Sequence, residues 1–79
     1  MAARFTAHQG QFLSFIYHYT KVNGQPPAEA EMGAYFRLTP PSVHSIVLRL
    51  EKLGLIAWTA GQPRSIKVLV SEEELPALG

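Results

Sequence analysis

The stretch that most constrains this chain is TPPSVHSIVLRLEKLGLI, from Thr39 to Ile56, because both ends of a helix are marked in it chemically. Thr39 is placed to cap, its hydroxyl accepting from a backbone N–H of the first turn. Pro40 at the first helical position sets φ and lacks only a donor that would be orphaned anyway, and Pro41 is tolerated for the same reason. Val43, Ile46, Val47, Leu50 and Leu53 then recur at helical spacing as one apolar stripe. Gly54 suits a left-handed position just past the end, with Leu55 placed to close on Leu50 in a Schellman motif. These signals predict a helix over residues 40–53. Ser42, His44, Ser45, Leu48, Arg49 and Lys52 fall off the stripe, on a face that meets something other than the core.

Two helices are predicted before it. Phe12, Phe15, Ile16 and Tyr19 follow i, i+3, i+4, i+7, and Thr6 with Gln9 three residues on makes a capping box, so a helix is expected over residues 6–20. Asn23-Gly24-Gln25-Pro26-Pro27 ends it. A shorter helix fits residues 28–36, with Met32 and Phe36 one turn apart and Glu29 and Glu31 where the helix dipole favours negative charge. After Gly54 the apolar period changes from 3.6 to 2. Ile56, Trp58 and Ala60 alternate, then Ile66, Val68 and Val70, with Gly61-Gln62-Pro63-Arg64-Ser65 between. A hairpin over residues 56–70 is expected, Ala60 opposite Ile66 and Trp58 opposite Val68. Residues 71–79 read as an acidic tail, frayed or forming one short extra turn.

At 79 residues the chain is expected to form one small domain. Hydrophobic residues at 47% and charged residues at 16% indicate a globular chain rather than a disordered one. Cysteine is absent, which excludes disulfides, thiolate chemistry and cysteine-based zinc sites. No apolar run reaches the roughly 20 residues that span a bilayer, and no signal-peptide core is evident. A cytoplasmic protein without membrane contact is the expectation. The net charge of +1 conceals a division, because all seven Lys/Arg lie at or before Lys67 while three of the six acidic residues are Glu72, Glu73 and Glu74. A mildly basic body with an acidic tail permits a polyanionic partner without demanding one.

Three helices followed by a short hairpin resemble the winged helix-turn-helix, a mainly α fold in which a three-helix bundle carries a β-hairpin wing. Within it, the chain is most similar to the N-terminal DNA-binding domain of the LexA repressor family. The likeness runs through TAHQGQFLSFI, NGQPPAEAEM, SVHSIVLRLEKLGLI and AGQPRSIKVL, roughly residues 6–69, with Gly61, Arg64 and Ile66 in register in the wing. The central piece alone also resembles the MarR family. Three departures stand out. Ala28 replaces the Ser/Thr usual after Pro-Pro, a loss of roughly 1 kcal/mol of capping. Arg37 occupies a turn that usually has Gly, so another turn shape is expected there. Nothing in these residues encodes the self-cleaving peptidase domain that the family joins to this module, so self-cleavage is not expected of them.

The resemblance implies a transcriptional regulator that binds double-stranded DNA. The start of the third helix would enter the major groove, placing Ser42, His44 and Ser45 toward bases and Arg49 nearer the backbone, with Thr39 also among the DNA-binding residues. Arg64 at the wing tip would reach the minor groove or a phosphate, with Lys67 adding a phosphate contact. None of the base-facing residues offers a strong bidentate contact, so a monomer should bind weakly, and a homodimer or partner protein is expected to strengthen it. The competing expectation is a protein-interaction winged helix using the outward Leu48. An enzyme is disfavoured. Ser14 and His18 form an isolated pair without a third member. His8, His18 and His44 lack metal-ligand spacing, and no cofactor is expected. The Glu72–Glu74 run either solubilises the tail or competes with DNA for the basic face.

Overall fold

A computed structural model describes the protein over residues 5–79. Its elements are α1 (Ala7–Asn23), α2 (Glu29–Phe36), α3 (Pro40–Lys52), β1 (Ile56–Ala57), β2 (Lys67–Val68) and a 3₁₀ turn at Glu72–Glu74. Three helices and a two-stranded antiparallel hairpin make a mostly helical winged helix-turn-helix. The core gathers Phe12, Leu13 and Ile16 from α1, Met32 from α2, and Val43, Val47 and Leu50 from α3, with Leu55, Ile56 and Ile66 from the hairpin arm.

The capping box of α1 is complete. Gln9 N–H donates to Thr6 Oγ1 (3.1 Å) and Thr6 N–H donates to Gln9 Oε1 (2.9 Å). The helix runs to Asn23, beyond the expected residue 20, because the left-handed Gly24 (φ 77°) is what stops it. The close of α3 is a full Schellman motif. Gly54 adopts φ 76°, Leu55 N–H reaches Leu50 O (3.0 Å) and Gly54 N–H reaches Glu51 O (2.9 Å). Leu50 and Leu55 are both buried.

Several details differ from the sequence reading, each for a local reason. Leu53 is not in the buried stripe; it follows the last helical residue and is 43% exposed. Thr39 caps with its backbone alone. Its hydroxyl meets that of Ser42 instead (3.0 Å), since Pro40 and Pro41 supply no first-turn N–H. Arg37 does not force a different turn: it adopts the left-handed conformation itself (φ 57°, ψ 50°), at a cost of about 1 kcal/mol. Gly33 makes room for that turn, because a Cβ there would stand 3.0 Å from Leu38 O. Ala28 starts α2 without a side-chain cap, but the other half of the box survives, its N–H donating to Glu31 Oε1 (2.7 Å).

The hairpin register is Ile56 opposite Val68 and Ala57 opposite Lys67, two residues away from the expected pairing. Sliding by two preserves the inward face, which is why alternation alone could not fix it. The ladder is short because Ser65 closes the loop with its side chain, accepting from Thr59 N–H (2.9 Å) and donating to Thr59 O (3.2 Å).

The tail is docked rather than frayed. Ser14, fully buried, donates to Pro76 O (2.6 Å), Gln11 bonds Ala77 O and Gly79 N–H, and Tyr35 donates to Gly79 O (2.9 Å). Leu75 and Leu78 pack on the core. This strap meets α1 at Gln11 and Ser14, and Leu13 and Ser14 are buried alongside the expected stripe. Gly10 allows the approach, since a Cβ would lie 3.0 Å from both Phe5 and Pro76.

Candidate nucleic-acid interface

The interface is built on α3. Its inner side is sealed, with Val43, Val47 and Leu50 wholly buried. That burial fixes the opposite side, where Ser42, His44, Ser45, Leu48, Arg49 and Lys52 are all exposed. Thr39 is exposed at the helix start, its hydroxyl paired with Ser42's. With two prolines in the first turn, α3 presents hydroxyls and an imidazole there in place of backbone donors. Arg49 and Lys52 sit in the last turn, where the dipole favours positive charge.

His44 marks the junction between α3 and the wing. Its ring stands edge-on to Trp58 at 5.9 Å, and Nδ1 lies 3.4 Å from Glu29 Oε2 of α2. Trp58 packs against the core, as expected of it. Lys67, on β2, is exposed. Between the wing and the start of α2 lies a concavity of about 230 Å³, bordered by Pro27, Trp58, Gln62 and Pro63.

Arg64 is not at a free wing tip. Its backbone is left-handed (φ 59°), and its guanidinium turns inward onto Glu31 of α2. Nη1 donates to Glu31 Oε1 (2.8 Å) and to Pro26 O (3.2 Å), and Nη2 donates to Glu31 Oε2 (3.2 Å). Glu31 gathers further donors, Tyr19 Oη–H (2.6 Å) and the Ala28 N–H. The Tyr19 hydroxyl, the Ala28 amide and the Arg64 guanidinium together hold the Glu31 carboxyl down at about 2. The same carboxylate keeps Arg64 more firmly protonated. Sequence reasoning assigned Glu31 only to the helix dipole. The signal for more was its place three residues after the α2 cap, where a carboxylate reaches back to a backbone amide.

The acidic tail approaches α1. Glu72 accepts from Tyr17 Oη–H (2.6 Å), which raises the tyrosine's proton affinity. Ser14 is used by the strap, bonding Pro76 O. Among the described residues, no group of three His, Cys, Asp or Glu side chains could hold a metal ion, and no helix is long and apolar enough to cross a membrane.

Comparison with known proteins places these features in a family. Residues 2–65 match the LexA DNA binding domain. A LexA repressor of Thermotoga neapolitana is 36% identical over 75 residues, covering 94% of this chain and 38% of the relative. LexA repressors of Thermosipho melanesiensis (33% over 72 residues, covering 91% and 36%) and of an Exiguobacterium strain (37% over 70 residues, covering 87% and 34%) are similar too. The chain thus spans less than two-fifths of the length of these relatives. With a three-helix body, a third helix exposed along its outer side and a short wing, this chain belongs to the LexA DNA-binding domain family.

Proposed function

We propose that this domain binds double-stranded DNA as part of a transcriptional regulator in the cytoplasm, with α3 in the major groove. The observation that carries this reading is the division of α3 into a sealed inner side and an outer side with every side chain in solvent. Thr39, Ser42, His44 and Ser45 face base edges, the hydroxyls donating or accepting as the base requires. Leu48, 44% exposed on the same side, offers apolar contact to a thymine methyl. Arg49 from α3 and Lys67 from the wing contact phosphates. Binding as a homodimer on a two-fold site multiplies the modest affinity of one module. The relatives' name supports repression as the sense of regulation.

The test is selection from a random pool of labelled duplexes at two salt concentrations, followed by sequencing of what is retained. A roughly palindromic motif is the expected outcome. Arg49→Ala should then weaken retention and reduce its salt dependence by about one counterion. Motif-free retention that vanishes near physiological salt would reject sequence-specific regulation and leave only general polyanion affinity.

A further inference from the structure

We infer that Arg64 is a positioning residue rather than a DNA contact: locked on Glu31, it sets the pose of the wing beside α3. This inference rests on the DNA-binding reading above.

Four observations converge on it. The paired strands β1 and β2 are two residues each, so backbone pairing alone holds the wing loosely. Arg64 spends its guanidinium on groups of the body, two bonds on Glu31 and one on Pro26 O, with the Tyr19 hydroxyl at 3.4 Å. Glu31 is itself fixed by Tyr19 from α1 and by Ala28 at the start of α2, so the anchor does not move with the wing. The left-handed backbone at Arg64 is a conformation non-glycine residues rarely hold, and the surrounding bonds sustain it here. The wing loop is thereby tied to the junction of α1 and α2, and Lys67, exposed on the neighbouring strand, is left to meet the phosphate.

A planar two-pronged donor suits this role, and a lysine does not replace it. The two possible roles for Arg64 make opposite demands on Glu31. If Arg64 reached DNA, Glu31 would compete for it, and removing that negative charge would tighten binding. If the pair positions the wing, the same change weakens binding, although a negative charge has been removed from a protein facing a polyanion.

The experiment compares wild type with Arg64→Ala, Arg64→Lys, Glu31→Gln and the double variant Glu31→Gln/Arg64→Ala. Affinity for a labelled duplex from the selected pool is measured as a function of salt, well below each variant's thermal transition. Glu31→Gln retains an acceptor for the Ala28 amide, which protects the start of α2. The expected result is that Arg64→Ala and Glu31→Gln each weaken binding by about tenfold, with the double variant little worse than either, as coupled neighbours behave. The slope of log affinity against log salt becomes shallower by about 0.9 in Arg64→Ala and Glu31→Gln alike, because a misplaced wing no longer brings Lys67 to its phosphate. Arg64→Lys resembles Arg64→Ala. Wild-type affinity and slope in Arg64→Lys with loss of both in Arg64→Ala, or tighter binding by Glu31→Gln, would overturn the inference while leaving the DNA reading intact. Failure of the wild-type protein to retain any duplex would overturn both.

Discussion

The third helix and the wing both send apolar side chains into the same core, but the wing loop adds a carboxylate–guanidinium tie to the body. α3 is seated by apolar burial, with Val43, Val47 and Leu50 wholly out of solvent, and is closed at its end by two backbone hydrogen bonds. The wing has two short strands, buries Ile56 and Ile66, and is tied at its loop by a carboxylate–guanidinium pair whose two side chains are each 34% exposed. The first attachment is mainly apolar; the second includes a charged pair that answers to salt and pH. A helix seated in the core thus sits beside a wing whose loop is held in part by charge.

The largest effect that breaks this comparison is expected from Leu50→Ala. It removes a fully buried side chain that also receives Leu55, and thermal or urea unfolding should show a loss of about 2–5 kcal/mol. Since β1 begins beside Leu55, the hairpin signals should be lost together with the helical ones. Next comes Gly54→Ala. Its left-handed backbone disfavours a Cβ although the space around it is open, so about 1–2 kcal/mol should be lost through the backbone alone. Arg37→Gly has the opposite sign. Relief of a left-handed arginine (φ 57°) should raise stability by up to about 1 kcal/mol, offset in part by the greater freedom of glycine in the unfolded chain.

The smallest effect on stability belongs to the wing, because a partly exposed ion pair contributes little. Glu31 binds its proton less readily in the folded protein, its carboxyl lying at about 2 against an ordinary 4.5. The unfolded chain therefore takes up the proton first as pH falls. The stabilisation is complete above the ordinary carboxylate range and is lost between about 4.5 and about 2. An acid titration of the thermal midpoint should decline over that window, and Glu31→Gln should flatten the decline. An unaltered titration in Glu31→Gln would show that other carboxylates govern acid sensitivity and that the wing's attachment is not ionic.

How much was legible in the sequence follows the same division. The ends of α3 and its seat are local matters, decided by Pro40, Gly54, Leu55 and a stripe within one helix, and the structure reproduces them except for the Thr39 hydroxyl cap and Leu53. The burial of Ser14 was not legible, because its partner lies more than 60 residues away, at Pro76. Arg64 escaped for the same reason, its partner Glu31 being 33 residues distant. The hairpin register slid by two because its apolar alternation fits both pairings equally. At Arg37 the local preference for glycine was real, but the close packing at Gly33 and Leu38 prevails over it.

One feature of α3 bears on time rather than on affinity. Most helix beginnings offer several backbone amides to any phosphate, whatever the sequence. Pro40 and Pro41 withhold two of them, leaving Ser42 as the first-turn residue with an amide to give. A protein that grips random DNA less firmly leaves it sooner. If the proposed DNA binding holds, the two prolines should shorten each stop on unrelated sequence and quicken the search for a specific site.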